Sequence, residues 1–389
     1  MRLSDELIRF VNEHEKEDVH TLALQSHKYP QIDISLAICQ ITGRRIAKDK
    51  IPAWYENQQI VYPKHLPLEQ SSSQATAQYK ASLCSGKSMV DLTGGLGVDF
   101  YFISQNFNNA TYVEQQYALA ELATYNFKVL GLNVQTVNAD AIDYLHSMSY
   151  VDLIYIDPAR RDNIGKKTVR IEDCTPNILE IEDLLEQKAE RVMIKLSPML
   201  DISLALKSLK NISQVHIISV DNECKELLFI KEKEVINTIF HCINIYNGAT
   251  DIYTFTKEKE ADSNISCPSV PGKYLYEPNA SILKAGAYKI IADEYSVSKL
   301  HPSSHLYTSD RLIYFPGRKF TIDGIYTLNK KDIKEYIAPL KQANITTRNF
   351  PLSVNEIRKK TGLKEGGDIY IFATTLANDK RVLIICRKA

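Results

Sequence analysis

From residue 76 to about 230, short apolar runs alternate with longer segments of helical periodicity, and this alternation constrains the fold more than any other feature of the chain. The runs are SMVDLT (88–93), ATYVE (110–114), NVQTVNA (133–139), VDLIYIDP (151–158), RVMIKLSP (191–198) and QVHIISV (214–220). Between them, segments such as QQYALAELATYNFKVLG and IEDCTPNILEIEDLLEQKA repeat apolar residues at helical spacing. Strands buried on both faces and joined through helices make a parallel sheet with crossover helices, an α/β fold. Two more runs, KELLFI (225–230) and FHCINIY (240–246), fit an antiparallel edge.

The flanks differ from this centre. A chain of 389 residues suits two or three domains. Residues 1–75 read as a helical segment, with Leu3, Leu7, Ile8 and Phe10, then Ile34, Leu36, Ala37, Ile38 and Ile41, at helical spacing. Gly43 is placed to end the second of these helices, and IPAWYENQQIVYPKHLPLEQSSS reads as an irregular connector. The α/β domain then spans 76–260. A polar stretch near 260–272 closes it or forms a solvated loop within it, and an α+β domain spans 268–389. No internal repeat is evident.

Lys plus Arg and Asp plus Glu both total 47, so net charge gives no reason to expect nucleic acid or membrane. Its distribution does. Beyond Gly272 there are 20 basic against 11 acidic residues, leaving 27 against 36 ahead of it, which reads as a basic docking module on a more acidic body. No apolar run is long enough to span a bilayer, and the acidic start lacks a signal-peptide core. Seven scattered cysteines without a CxxC pair fit reduced thiols in cytoplasm rather than a disulfide framework or a zinc site. His301 and His305 have ligand-like spacing, but no cysteine or third histidine lies near them in sequence, so no metal is expected.

The strongest chemical signal is Val90-Asp91-Leu92-Thr93-Gly94-Gly95-Leu96-Gly97-Val98-Asp99: an apolar strand ending in an acid, a glycine turn, then an apolar helix. Glycines there permit positive φ and close approach of a ligand to the backbone. The next strand ends in Glu114, where a carboxylate can take both hydroxyls of an adenosine ribose. The third ends in Asn138-Ala139-Asp140, and an acid or amide there can bond an adenine amino group. All three acids fall at the carboxyl edge of the sheet, where open α/β folds bind ligands. The bland alternative is a tight turn with solvated strand-end acids. Upstream, Gln70 and Ser72 either cover a ligand or simply cap an amphipathic helix.

The segment DLTGGLGVD, from Asp91 through Gly95 and Gly97, resembles the first motif, D/E-x-x-x-G-x-G, of class I S-adenosylmethionine-dependent methyltransferases. The resemblance implies a Rossmann-like methyltransferase sheet. It also implies that Asp91, Thr93, Gly94, Gly95, Gly97, Asp99, Glu114, Asp140 and Ala141 hold S-adenosyl-L-methionine. Asp157-Pro158-Ala159-Arg160 resembles the D/N-P-P-x turn of enzymes that methylate nucleic-acid bases, with Asp157 and Pro158 orienting an acceptor amine. It departs from that pattern because Ala159 replaces the second proline and Arg160 the usual aromatic. Arg160 and Arg161 then either stack on or clamp RNA, or cap the loop. The turn also resembles that of enzymes methylating carbon 5 of pyrimidines, which need a cysteine nucleophile. Here the fifth strand runs into Lys195-Leu196-Ser197-Pro198-Met199 without one, and Cys174 reads as packing, so N-methylation is favoured. The tail, with Arg318, Lys319 and Arg348 among aromatics, resembles the ferredoxin-like/THUMP-like module fused behind methyltransferase domains in a bacterial family, and implies docking of tRNA or rRNA. The rivals are a methyltransferase for a small molecule or protein, and an RNA-binding protein that keeps the pocket without transfer.

Overall fold

The computed structural model describes residues 2–64, 66–160 and 170–389. The chain divides into two compact units, Met1–Val215 with Lys225–Asn237, and His216–Cys224 with Thr238–Ala389.

The first unit holds the α/β sheet. Strands β1 (Gly86–Asp91), β2 (Phe107–Val113), β3 (Gln135–Val137), β4 (Val151–Ile156) and β5 (Ala189–Leu196) lie in the order β3-β2-β1-β4-β5. Every neighbouring pair among them is parallel. Strand β6 (Ile212–Val220) turns into β7 (Glu223–Glu232), and β7 closes this part of the sheet antiparallel to β5, with Leu196 opposite Leu227. Helices Val98–Ser104, Tyr117–Val129, Ala141–Ser147 and Ile178–Lys188 make the crossovers. The parallel order reverses direction at β1, which puts the end of β1, with its glycine turn, at the switch point of the sheet.

Residues ahead of β1 form helices Asp5–His14, Val19–Leu24, Ile34–Lys50, Pro52–Tyr55, Leu66–Gln70 and Gln74–Ala81. One expectation fails here. Gly43 does not end its helix but sits inside it, where a Cβ would lie 2.3 Å from Tyr62 Cβ. The connector is irregular apart from its two short helices, yet it is packed. Trp54, Ile60, Val61, Tyr62 and Leu68 are buried in one core with Leu7, Phe10 and Ile41, and that core includes Leu96, Val98 and Leu122 of the α/β sheet's own loop and helices. Apolar burial at about 25 cal/mol per Å² outweighs a proline-rich sequence's turn preference.

In the second unit, β8 (Ile239–Tyr246) and β9 (Ala249–Thr256) form a hairpin. A separate mixed sheet contains β10 (Tyr274–Pro278), β11 (Ser298–Lys299), β12 (Tyr307–Ser309), β13 (Gly317–Tyr326), β14 (Asn344–Arg348), β15 (Ile369–Thr375) and β16 (Arg381–Lys388). Their order is β11-β12-β10-β13-β16-β15-β14, and only β14 and β15 pair in parallel. Helix Val354–Thr361 begins in a Ser353/Glu356 capping box, satisfying amide groups that would otherwise stay unpaired. No helix among the described residues is long and apolar enough to cross a membrane.

Candidate active site

The glycine turn divides its labour among three residues. Gly94 and Gly97 are packing glycines: a Cβ on Gly94 would lie 2.0 Å from the Tyr112 ring, and one on Gly97 2.5 Å from Phe127. Gly95, at φ +55°, is different. Among the described residues, only the Thr93 carbonyl oxygen, at 3.7 Å, would come near a Cβ there. Glu114, buried at the end of β2, accepts from the Gly95 N–H at 2.9 Å and the Gln116 N–H at 2.7 Å, so it braces the turn as well as bordering it. Asp140 is exposed and caps the helix beginning at Ala141, accepting from the Ile142 and Asp143 N–H groups. Asn138 donates to the carbonyl oxygens of Glu114 and Gln115 and ties the ends of β2 and β3 together.

Asp91 and Asp99 are both buried, with opposite consequences. Asp91 accepts the Thr93 N–H at 2.9 Å. No ammonium or guanidinium lies within ion-pair distance of it among the described residues, and burial pushes its carboxyl well above the usual range. Asp99 is equally costly to bury, but the ammonium groups of Lys195 and Lys80 outweigh that cost and hold it below the usual range. Lys80 Nζ lies 2.8 Å from Asp99 Oδ1, and Lys195 Nζ 3.1 Å from Oδ2. The Ser72 hydroxyl and the Tyr155 phenol each donate to Oδ2 at 2.7 Å.

This cluster extends to both sides. Lys80 pairs with Glu226 of β7 at 2.6 Å. Lys195, on β5, pairs with Asp157 Oδ2 at 2.5 Å. Ile156 lies opposite Ile194 in the parallel ladder, so the residues that follow, Asp157 and Lys195, stand level at the carboxyl edge. The Asp157 N–H donates to the Thr93 hydroxyl at 2.6 Å, linking it to the glycine turn. Two ammonium groups thus sit among the carboxylates of Asp99, Glu226 and Asp157. Asp157 alone of these keeps much of its side chain in solvent, at 39%, against 12% for Lys195 and none for Lys80.

Of the residues expected at the site, Asp91, Thr93, Asp157 and, through Lys195, Asp99 are joined in one bonded chain, and Gly95 and Glu114 form a second pair on the same turn. Pro158 is buried beside Asp157, and Ala159 and Arg160 pair with Thr175 and Cys174 in a two-residue ladder. Arg161 lies outside the described residues. Arg318 and Arg348 belong to the second unit, both on the buried carboxylate of Glu277, and Lys319 lies half-buried beside Arg318 on β13. Sequence reading missed Lys80, Lys195 and Glu226. The signal was present: each is a charge inside an otherwise apolar strand or helix, and such a charge must find a partner. Lys80 and Glu226 are 146 residues apart, so the partner itself was not legible. His301 accepts from the Asn349 amide and His305 lies against Lys299; no group able to hold a metal occurs among the described residues.

Sheet order, glycine turn and strand-end acids together define a class I methyltransferase domain. Behind it, residues 274–316 match a ferredoxin-like domain family and residues 317–388 a THUMP domain-like family. The chain belongs to the family of a candidate methyltransferase from Porphyromonas gingivalis W83. That crystal structure is 32% identical to it over 100% of both chains, with a TM-score of 0.88. More distant structures are also similar in part. A candidate class I S-adenosylmethionine-dependent methyltransferase from Listeria monocytogenes is 12% identical over 63% of this chain and 94% of its own (TM-score 0.38). TrmK of M. capricolum, solved with S-adenosyl-homocysteine, is 16% identical over 42% of this chain and 69% of its own (TM-score 0.33). No curated protein sequence matches the chain.

Proposed function

We propose that the chain is an S-adenosylmethionine-dependent methyltransferase acting on a nucleotide of structured RNA. The observation that carries this reading is Asp157: a partly exposed carboxylate at the end of β4, tied through its N–H to the open glycine turn. S-adenosylmethionine, when bound, supplies a methyl group on a positively charged sulfur. The residues present fit such a donor. Asp91 is a buried carboxylate without a cationic partner among the described residues, and no side chain among them fills the space beside Gly95. Glu114 would receive the ribose hydroxyls and Asp140 the adenine amino group, with Thr93, Gly94, Gly97, Asp99 and Ala141 shaping the turn around them. Asp157 would orient the acceptor and take its proton, and Pro158 would fix the turn. Catalysis of this kind is mainly positioning.

RNA as the substrate is supported by the basic C-terminal residues and the THUMP domain-like match at 317–388. Arg160 and Arg161, with Arg318, Lys319 and Arg348, are basic groups that the sequence offers to meet it. Taken by itself, the Asp157-Pro158 turn favours a nitrogen of the nucleotide as acceptor. Calorimetry with S-adenosylmethionine and tritiated-methyl transfer to RNA from a strain lacking the gene test the reading. Donor uptake with label entering RNA is expected. No uptake at millimolar excess would overturn it, and uptake without incorporation would favour a non-catalytic RNA-binding protein. A label entering protein or small molecules instead would favour the other enzyme class.

A further inference from the structure

Lys195 changes which acceptor atom suits this site. Its Nζ is 2.5 Å from Asp157 Oδ2, so any group hydrogen-bonded to that carboxylate lies beside a fixed ammonium. Asp99 and Ser72, each 3.1 Å from the same Nζ, leave it little freedom to swing away. Burial favours loss of its proton, but Asp157, Asp99 and Glu226 hold its pKa well above the usual range, so it stays charged. Lys80 is the other cation of the cluster and is itself occupied by Asp99 and Glu226.

A positive charge there acts oppositely on the two kinds of acceptor. An amine gains positive charge as its nitrogen takes a methyl group, and a neighbouring ammonium opposes that. A hydroxyl behaves differently. Bonded to Asp157 through its proton, its oxygen keeps lone pairs for the attack and lies in the field of the Lys195 ammonium, whose own three N–H groups are taken by Asp157, Asp99 and Ser72. As its proton leaves, negative charge gathers on the oxygen, and a fixed ammonium stabilises it. The turn Asp157-Pro158-Ala159-Arg160 also offers no aromatic ring on which a flipped base would stack.

We infer that the acceptor is a hydroxyl oxygen, which within an RNA chain is the ribose 2′-hydroxyl, and that Lys195 is the positioning residue that selects it. The inference rests on the RNA methyltransferase reading above. In the step, the hydroxyl oxygen forms a bond to the methyl carbon. The carbon–sulfur bond breaks with its electron pair remaining on the donor's sulfur, and the hydroxyl proton passes to Asp157, which becomes a carboxylic acid. Ser72 and Lys80, both ahead of β1, hold Asp99 and through it Lys195, so the N-terminal part of the chain completes the site.

The test uses the full chain, tritiated S-adenosylmethionine and RNA from a strain lacking the gene, followed by alkaline hydrolysis. A 2′-O-methyl group blocks cleavage at its own phosphate, so label in alkali-resistant dinucleotides is the expected result. Label in mononucleotides would overturn the hydroxyl inference and leave RNA methyl transfer standing; no label in RNA would overturn both. Lys195→Met should lower kcat by about 100-fold or more, with KM for RNA and donor binding by calorimetry unchanged, and Lys195→Arg should restore part of the rate. Wild-type kcat in Lys195→Met, or loss of donor binding in both variants, would remove Lys195 from the proposed role.

Discussion

Asp91 illustrates how one buried carboxylate can oppose the stability of the protein that carries it. Its folded pKa lies above the unfolded value, so the stability associated with its neutral form is complete below about pH 4 and is lost as pH rises toward the folded value. Above that window the free protein carries a buried anion with no ion-pair partner among the described residues. Asp91→Asn keeps an acceptor for the Thr93 N–H and removes the charge. The free variant should therefore melt higher than wild type at pH 7 and no differently near pH 4, as scanning calorimetry at the two pH values would show. Its affinity for S-adenosylmethionine should fall at least about tenfold, a difference of about 1.4 kcal/mol. Asp157→Ala should lower methyl transfer by about 10² to 10³-fold with little change in donor binding; wild-type turnover would remove it from the acceptor site. Asp91, Glu114 and Asp157 were legible in sequence because each ends an apolar run. Lys195 was not recognised because its importance comes from Asp157 and Asp99, which only the folded sheet brings to it.

At the scale of elements, the alternation of apolar runs and helices was enough to place five parallel strands and the antiparallel return of β7. The boundaries were less legible: β2 begins at Phe107, ahead of its apolar core, and β3 is only Gln135–Val137. Glycine was where sequence reading was weakest, since the same residue type serves as a helix interior at Gly43, a packing contact at Gly97 and an open turn at Gly95. The last two should separate on substitution. Gly97→Ala combines a 2.5 Å clash with the Phe127 ring and a φ of +84°, and should cost about 3 kcal/mol of stability or more. Gly95→Ala meets no clash and should cost only about 1 kcal/mol for its positive φ. Its methyl group would nonetheless occupy the space proposed for the donor. Urea melts should rank Gly97→Ala below Gly95→Ala, while calorimetry should find donor binding weakened in both. Equal melts would mean that the Phe127 ring yields to the methyl.

For the molecule as a whole, the uneven distribution of charge matters more than its zero sum, and the structure separates basic residues that hold the fold from those free to meet a partner. Arg318 and Arg348 read from sequence as RNA contacts, yet both pair with Glu277, which is 2% exposed. Removing both would leave a buried carboxylate unpaired, at a cost of about 3–5 kcal/mol. Arg318→Gln with Arg348→Gln should thus lower the melting temperature markedly, and adding Glu277→Gln should recover part of the loss. Lys330, Lys331, Lys359 and Lys360 are exposed in the same unit. Each of these that contacts a phosphate adds nearly one to the slope of log K against log salt. Neutralising all four to Gln should flatten that slope for RNA binding, measured by fluorescence anisotropy across a salt series, without changing the melting temperature. A slope unchanged by the four substitutions would place the RNA on another face, and the arginine pair would then be the next residues to examine, in the Glu277→Gln background where their removal no longer strands a charge.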